Sequence, residues 1–132
     1  MGASAAGPGE SAIHTHMTNT LNTPIEALEA YYPMRITEYR MRRGSGGRGQ
    51  ARGGDGLIRE LECLVDSNVS VLTERRTIAP YGLAGGGLGA TGKNILVRGS
   101  RRSRLPGKAN IDLKAGDRIR IETPGGGGWG PR

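Results

Sequence analysis

Two histidines two positions apart are the first residues whose type and spacing point to chemistry. His14 and His16 flank Thr15, and they are the only histidines in the chain. In an extended segment, side chains two positions apart lie on the same side, a spacing compatible with metal ligation. Because two ligands do not complete a site, His14 and His16 are weak metal candidates that would need further ligands from Asp, Glu or another subunit. Side-chain hydrogen bonding in a packed interface is the alternative use.

Amide and hydroxyl side chains follow the histidines directly. Asn19 and Thr20, together with His16, are the candidate substrate-contacting residues, because such groups orient polar substrates through hydrogen bonds. The alternative is that they only cap the helix that begins a few residues later. No arrangement of Ser, His and Asp typical of nucleophilic catalysis stands out, and we expect no catalytic residue acting alone in this chain.

Gly87–Asn94 is the best local match to a phosphate-binding loop. It satisfies G-x-G-x-x-G and departs from the Walker A pattern only because Asn94 stands where Ser or Thr would bind Mg²⁺. Such loops need a following helix whose N-terminus faces the phosphate. Residues 95–97 predict a strand instead. We therefore interpret the segment as a turn and not as a nucleotide site.

Arginines dominate the charge of this basic chain. The net charge is +7, concentrated at residues 40–52 and 98–104. Residues 42–54 resemble an Arg-Gly tract that binds nucleic acid, but no aromatic residues for base stacking are interleaved. We therefore predict that Arg48 and Arg52 contact acidic partner surfaces, with nucleic-acid binding as the less favoured alternative. Trp129 follows four glycines and is predicted to be a partner anchor.

The elements that position these groups are predicted to be mainly short strands. One helix is predicted with Thr23 as its N-cap, Pro24 at its first position and Pro33 at its end. Two hairpins are predicted, the first joining residues 57–65 to 69–73 and the second joining 111–114 to 118–122. The predicted fold class is mainly β, a small antiparallel sandwich or roll with one short helix and long Gly-rich loops.

The bulk composition sets limits on this fold. The 132 residues include 24 Gly, one Trp and no Phe, so the chain is expected to need neighbours to hold its shape. We predict a flexible arm at 1–11, one β-rich domain at 12–123 and a Gly-rich tail at 124–132. The single cysteine, Cys63, is predicted to be a buried, inert thiol. No apolar run is long enough to cross a membrane and no secretory signal is visible, so a cytoplasmic location is expected.

A series of short motifs, in order from about Ala12 to Gly130, resembles the C-terminal end of the hydantoinase B/5-oxoprolinase family. That family includes N-methylhydantoinase, 5-oxoprolinase and the acetone and acetophenone carboxylases. The motifs that carry the resemblance are 16–20 (HMTNT), 22–26 (NTPIE), 32–35 (YPMR), 43–47 (RGSGG), 52–56 (RGGDG), 74–76 (ERR), 80–87 (PYGLAGGG), 105–108 (LPGK), 116–117 (GD) and 122–130 (ETPGGGGWG).

The resemblance implies an ATP-dependent system of large A-type and B-type subunits in a hetero-oligomer. The A component phosphorylates a carbonyl or enolate oxygen, and the B component opens a lactam or hydantoin ring or joins the activated ketone to carboxyphosphate. ATP, Mg or Mn, and a divalent metal in the B-type subunit are implied cofactors, none of them bound by this chain alone.

The resemblance covers only the last portion of a B-type protein. The chain is therefore expected to be a separate small subunit, of the acetophenone carboxylase type, or a truncated fragment. We expect it to stabilise the B-type subunit and to complete its active site with His16, Asn19 and Thr20. A purely structural brace without site residues is the alternative.

Overall fold

The computed structural model describes residues 1–15 and 22–131 and is mainly β, with 40% strand and 6% helix. This confirms the predicted fold class. Among the helices in these ranges, none has the length and apolar character to span a bilayer. The elements in chain order are α1 (Ile25–Tyr31), β1 (Met34–Arg42), β2 (Gly56–Cys63), β3 (Ser67–Leu72), β4 (Lys93–Arg98), β5 (Arg101–Leu105), β6 (Lys108–Leu113) and β7 (Arg118–Glu122).

The strands form two antiparallel sheets that pack face to face. The larger sheet has the order β1-β2-β7-β4-β5, and the smaller one pairs β3 with β6. Alternate side chains of both sheets meet in a small core of five buried residues: Cys63, Val71, Leu96, Leu113 and Ile119. The burial of Cys63 confirms its prediction as a core thiol. Because this core contains no aromatic residue, it leaves much of the fold to be held by other interactions.

Both predicted hairpins are wrong, because their turns do not reverse the chain. β2 pairs with β7, and β3 pairs with β6. The segment from β2 to β3 therefore runs antiparallel beside the segment from β6 to β7, and both bend from the larger sheet into the smaller one. Hydrogen bonds continue through the bend: the N–H of Cys63 donates to Asp117 O at 2.9 Å, and the N–H of Gly116 donates to Cys63 O at 2.7 Å. Strands that switch sheets at a corner use the same turn residues as hairpins do.

Helix α1 begins and is capped differently from the sequence prediction. It ends before Pro33 as expected, but Pro24 occupies the N-cap position in place of Thr23, and no side-chain cap is formed. None of its residues is fully buried, and Ile25 and Leu28 are half-buried. The helix is tied to β1 by Glu29, whose carboxylate accepts the N–H of Ile36 at 2.8 Å.

Four Gly-rich segments, which lie outside the sheets apart from Gly56 at the start of β2, pack backbone against backbone. We call them the glycine bundle (residues 1–10, 44–56, 80–92 and 123–131). Their N–H groups donate across segments: Gly47 to Gly126 O at 2.8 Å, and Gly128 to Gly87 O at 2.9 Å. The first and last segments, predicted to be an arm and a tail, both lie in this bundle. Neighbouring backbones approach so closely that there is no room for a side chain at most of these glycines.

A matched pair of substitutions tests this packing. A Cβ on Gly127 would overlap the carbonyl oxygen of Tyr81, whereas a Cβ on Gly2 would lie at an ordinary 3.7 Å from Gly127 O. We expect Gly127→Ala to lower the free energy of unfolding by more than about 4 kcal/mol, since backbone atoms must separate to admit the methyl group. Gly2→Ala should leave the urea midpoint nearly unchanged. Equal midpoints for the two variants would contradict the bundle.

The face of the larger sheet that points away from the core carries a ladder of ionised side chains. We call it the charge ladder: Glu38, Arg42, Glu60, Arg118, Arg120 and Glu122. Its centre, Arg120, pairs with Glu38, with Glu122 at 3.1 Å and with Glu60 at 3.6 Å. Glu60, only 4% exposed, also accepts a hydrogen bond from Arg118 at 2.9 Å. These pairs join β1, β2 and β7 across the sheet.

Removal of the central guanidinium should be costly. Arg120→Met would leave three neighbouring carboxylates without their shared cation, and losing one partner of a buried pair costs about 3 kcal/mol. Arg35→Met is the control, because Arg35 forms an exposed pair with Glu62 at 2.7 Å. We expect a clear loss of the urea midpoint for the first variant and little change for the second. A similar midpoint for both would show that the ladder contributes nothing.

Candidate functional site

The N-terminal segment leaves the glycine bundle at Asp55. The backbone N–H of Asp55 donates to Ser11 Oγ at 2.9 Å, and the N–H of Ala12 donates to Asp55 O at 2.8 Å. Ala12 has a φ of +60°, which turns the chain at this point. The bundle therefore fixes where residues 13–15 leave it, with His14 exposed at the protein surface.

The carboxylate of Asp55 organises the loop that receives this segment. It is buried and accepts the N–H of Gly46 at 2.8 Å and of Gly44 at 3.2 Å, and Arg52 donates to it at 2.9 Å. Burial opposes ionisation, but the two backbone donors and the charge of Arg52 outweigh it and hold the pKa of Asp55 below its ordinary value. Asp55 thus acts as an ionised structural anchor at the floor of the site.

A cavity of about 430 Å³ opens beside this anchor, and we call it the N-terminal cavity. Its walls come from four parts of the chain: the N-terminal segment, the start of β2 with Asp55 before it, the end of β3 with the residues after it, and the two residues that follow β7. The lining residues are Met1, Ala12, Ile13, His14, Thr15, Asp55, Gly56, Leu57, Leu72, Thr73, Glu74, Arg75, Arg76, Thr123 and Pro124.

Two consecutive arginines form the basic wall of the N-terminal cavity. Arg75 has a φ of +57°, a left-handed conformation that is uncommon for a residue other than Gly. Its carbonyl oxygen accepts the N–H of Gly92 at 2.9 Å, and its guanidinium carbon lies 5.9 Å from the centre of the Tyr81 ring. This turn sends the side chains of Arg75 and Arg76 in different directions.

Arg76 is held in place by a fully buried amide. Its Nε donates to Asn94 Oδ1 at 3.0 Å, and its Nη1 donates to Glu74 O at 2.5 Å. Asn94 is 0% exposed, and its amide nitrogen donates to Thr73 Oγ1 at 2.7 Å and to Pro106 O at 3.1 Å. All the amide's hydrogen-bonding groups are therefore satisfied while its oxygen points at the guanidinium.

The structure locates some of the predicted site residues and not others. His14 lines the N-terminal cavity, whereas His16, Asn19 and Thr20 lie outside the described residues. Among residues 1–15 and 22–131, no group of three or more His, Cys, Asp or Glu side chains is placed to hold a metal ion. The metal hypothesis for His14 and His16 depends on a residue outside these ranges and stays a prediction.

The predicted partner contacts lie together in the glycine bundle. Trp129 is half-buried and forms backbone bridges to Ala51 and Leu83. Arg48 is exposed, and its carbonyl oxygen accepts the N–H of Gly87 at 2.6 Å. Arg52 is paired with Asp55 inside the chain. Contact of these three residues with a partner stays a prediction.

The sequence analysis found the segment that contains Asn94 but not the contact that Asn94 makes with Arg76. Asn94 stands in the sequence as the residue that spoils a nucleotide loop, and the strand predicted after that loop is confirmed as β4. The role of Asn94 as the buried support of Arg76 was missed, because the two residues are 18 positions apart.

Comparison with known proteins shows the family of this chain. The family model described as hydantoinase B/oxoprolinase matches residues 1–132. The 5-oxoprolinase PfmaA of Pestalotiopsis fici is 44% identical over 128 residues, which is 92% of this chain and 10% of that protein. The chain therefore belongs to the hydantoinase B/oxoprolinase family, and it spans about a tenth of the length of the curated relatives that it first matches.

Two solved structures share the fold. The nucleotide-free structure of an acetone carboxylase superposes with a TM-score of 0.82 at 17% identity, covering 98% of this chain and 22% of that one. An ATP-dependent caprolactamase from Pseudomonas jessenii superposes with a TM-score of 0.71 at 23% identity, covering 93% of this chain and 24% of that one. In both cases the fold described above forms roughly a quarter of a larger chain.

The anchor at Asp55 predicts a pH dependence. Because its pKa is lower in the folded state, its stabilisation is present above the unfolded value of about 3.9 and is lost as the pH falls through the folded value. Asp55→Asn should therefore cost about 1–3 kcal/mol at pH 7 and progressively less in acid. Urea unfolding of both proteins between pH 7 and pH 3 measures the difference.

Asp112→Asn is the matched control for this measurement. Asp112 is exposed, and among the described residues its carboxylate accepts one hydrogen bond, from Asn68 at 2.7 Å, which an amide oxygen can also accept. We expect its stability curve to follow that of the unsubstituted chain. An Asp55→Asn loss that persists unchanged at pH 3 would rule out ionisation of Asp55 as its cause.

Proposed function

We propose that this chain is a working part of an ATP-dependent hydantoinase B-type assembly, in which it stabilises the B-type component and completes its active-site wall. The observation that carries the proposal is the family match over residues 1–132 in a chain about a tenth as long as its curated relatives. A segment of this size with a core of five residues gains stability by packing against the rest of such an assembly.

The substrate of the assembly is a small molecule with an activated carbonyl group. Two of the similar proteins are named for opening a lactam, 5-oxoproline in one case and caprolactam in the other. A third is named for ATP-dependent carboxylation of acetone. We propose that ATP activates an amide or ketone oxygen of the substrate before a nucleophile attacks. We propose ring opening as the reaction of this assembly, because the similar protein that is 44% identical over 128 residues carries the oxoprolinase name.

The proposed contribution of this chain is polar contact with the substrate. His16, Asn19 and Thr20 would orient the substrate through hydrogen bonds, with ATP, Mg or Mn, and a divalent metal supplied by the A-type and B-type components in the cytoplasm. This is supported by His14 and Thr15, which line the N-terminal cavity and precede these residues directly in the chain. The anchoring of Ser11 and Ala12 at Asp55 fixes the point from which residues 13–15 run along the cavity.

The test is ATP-dependent turnover by the complete assembly carrying His16→Ala or Asn19→Ala. We expect turnover to fall about tenfold or more, equivalent to about 1.4 kcal/mol of lost transition-state stabilisation, while the assembly stays intact. Asn22→Ala is the matched control, because the amide of Asn22 donates to the Tyr39 hydroxyl at 3.1 Å, away from the cavity.

The structural-brace alternative predicts a different result. If the chain only braces the B-type component, the substitutions at His16 and Asn19 lower the melting temperature or the yield of the assembly and leave the activity per complex unchanged. Native mass spectrometry measures the assembly while turnover is assayed on the same sample. Unchanged turnover in intact complexes would refute the site-completing role.

A further inference from the structure

We infer that the N-terminal cavity binds the carboxylate or phosphate group of a small ligand, and that Arg76 is the residue that recognises it. The inference rests on the proposed function only in identifying the ligand as a substrate or an activated intermediate of the assembly. Binding of the anionic group itself follows from how this chain holds Arg76.

Two glycines, Gly92 and Gly107, leave the space that the Arg76 side chain occupies. A Cβ on Gly92 would lie 2.5 Å from its Nη1, and a Cβ on Gly107 would lie 3.5 Å from its Cγ. The side chain therefore passes between two positions that lack side chains, and the fully buried Asn94 fixes its Nε. An arginine with this much support has little conformational freedom left to lose when a ligand binds, which favours binding.

The guanidinium nevertheless has no counter-ion among the described residues. Ion pairs engage many of the other arginines, but no described carboxylate lies within ion-pair distance of Arg75 or Arg76. The Nη2 of Arg76 makes no hydrogen bond to any described residue. It is not sealed from solvent, because Arg59 Nε is the one unpartnered side-chain nitrogen or oxygen that is fully buried in the described ranges.

Burial and a neighbouring positive charge make the charged form of the Arg76 side chain less favourable. Burial, together with the neighbouring charge of Arg42, lowers the pKa of Arg76 from its ordinary value, and Glu74 opposes this only in part. Arg42 is itself satisfied, since it pairs with Glu122 at 3.3 Å and donates to Thr91 O at 2.8 Å. An anion bound at Arg76 would relieve this unfavourable electrostatic environment.

The remaining walls define the kind of ligand. Ile13, Leu57 and Pro124 are apolar, and Arg75 and His14 supply further polar N–H groups. The lining also holds two carboxylates, of which Asp55 pairs with Arg52 at 2.9 Å and Glu74 pairs with Lys108 at 3.7 Å. A volume of about 430 Å³ is in the range of small-molecule sites. The planar guanidinium presents parallel N–H groups that match two oxygens of a carboxylate or a phosphate. The cavity thus fits a small molecule with an apolar body and one anionic end.

The test is titration of the full 132-residue chain with inorganic phosphate and, separately, with acetate, at constant ionic strength set by sodium chloride. Chemical shifts of the His14 ring and of the Arg76 Nε–H group report binding. We expect saturable shifts, and Arg76→Gln should weaken the stronger of the two ligands at least tenfold. Arg102→Gln removes the same charge from an exposed position on β5 and should change the affinity less than twofold. Tighter phosphate binding would indicate a phosphorylated ligand, and equal or tighter acetate binding would indicate a carboxylate.

A second variant guards against loss of folding. Gly92→Ala keeps every charge but displaces the guanidinium, so it should also weaken binding at least tenfold if the near-ultraviolet circular dichroism of Trp129 is retained. No saturable shift in the unsubstituted chain, or an equal loss in the Arg76 and Arg102 variants, would overturn the inference. Anion binding with unchanged turnover in the His16 and Asn19 variants would instead refute the site-completing function alone.

Discussion

Close contact between backbones is the constraint on which the rest of this structure depends. In the glycine bundle the carbonyl and N–H groups of four separate segments satisfy each other without intervening side chains, and an added methyl group at most of these positions would overlap a backbone atom. The bundle brings residues 1–10 beside residues 44–56, which puts Ser11 and Ala12 on Asp55. The cavity that His14 and Arg76 both line exists because this anchoring point is fixed.

The two faces of the larger sheet are stabilised by different interactions, apolar packing on one face and ion pairs on the other. One face buries a core of aliphatic side chains and Cys63 against the smaller sheet. The other holds the charge ladder, in which Glu60 and Arg120 are buried yet paired with several partners. A chain without Phe thus replaces part of a hydrophobic core with ion pairs across strands, which makes its stability sensitive to the loss of any single partner.

The sequence predicts the types of element better than their partners. The alternation of Leu, Ile and Val predicts the strands, and the apolar run at residues 95–97 after the Gly-rich loop predicts β4. The hairpins are wrong because Asp, Gly and Asn mark a sheet corner as readily as a chain reversal, and only the long-range pairing of β2 with β7 distinguishes them. The same reason hides Arg76: its role depends on Asn94, Gly92 and Gly107, which come near it only after folding. His14 could be named from the sequence because its residue type alone indicates possible chemistry, and the structure places it in the lining of the cavity.

The position of the last Gly-rich segment has a consequence for how the molecule is made. Residues 125–130 hydrogen-bond with residues 1–3, 47–54 and 83–90, so every other segment of the bundle has partners in this one. These contacts span most of the sequence, and such high contact order is associated with slow folding. During translation, the first three segments of the bundle are therefore expected to stay open until the fourth leaves the ribosome. Protection of the emerging chain by chaperones would matter most in that interval.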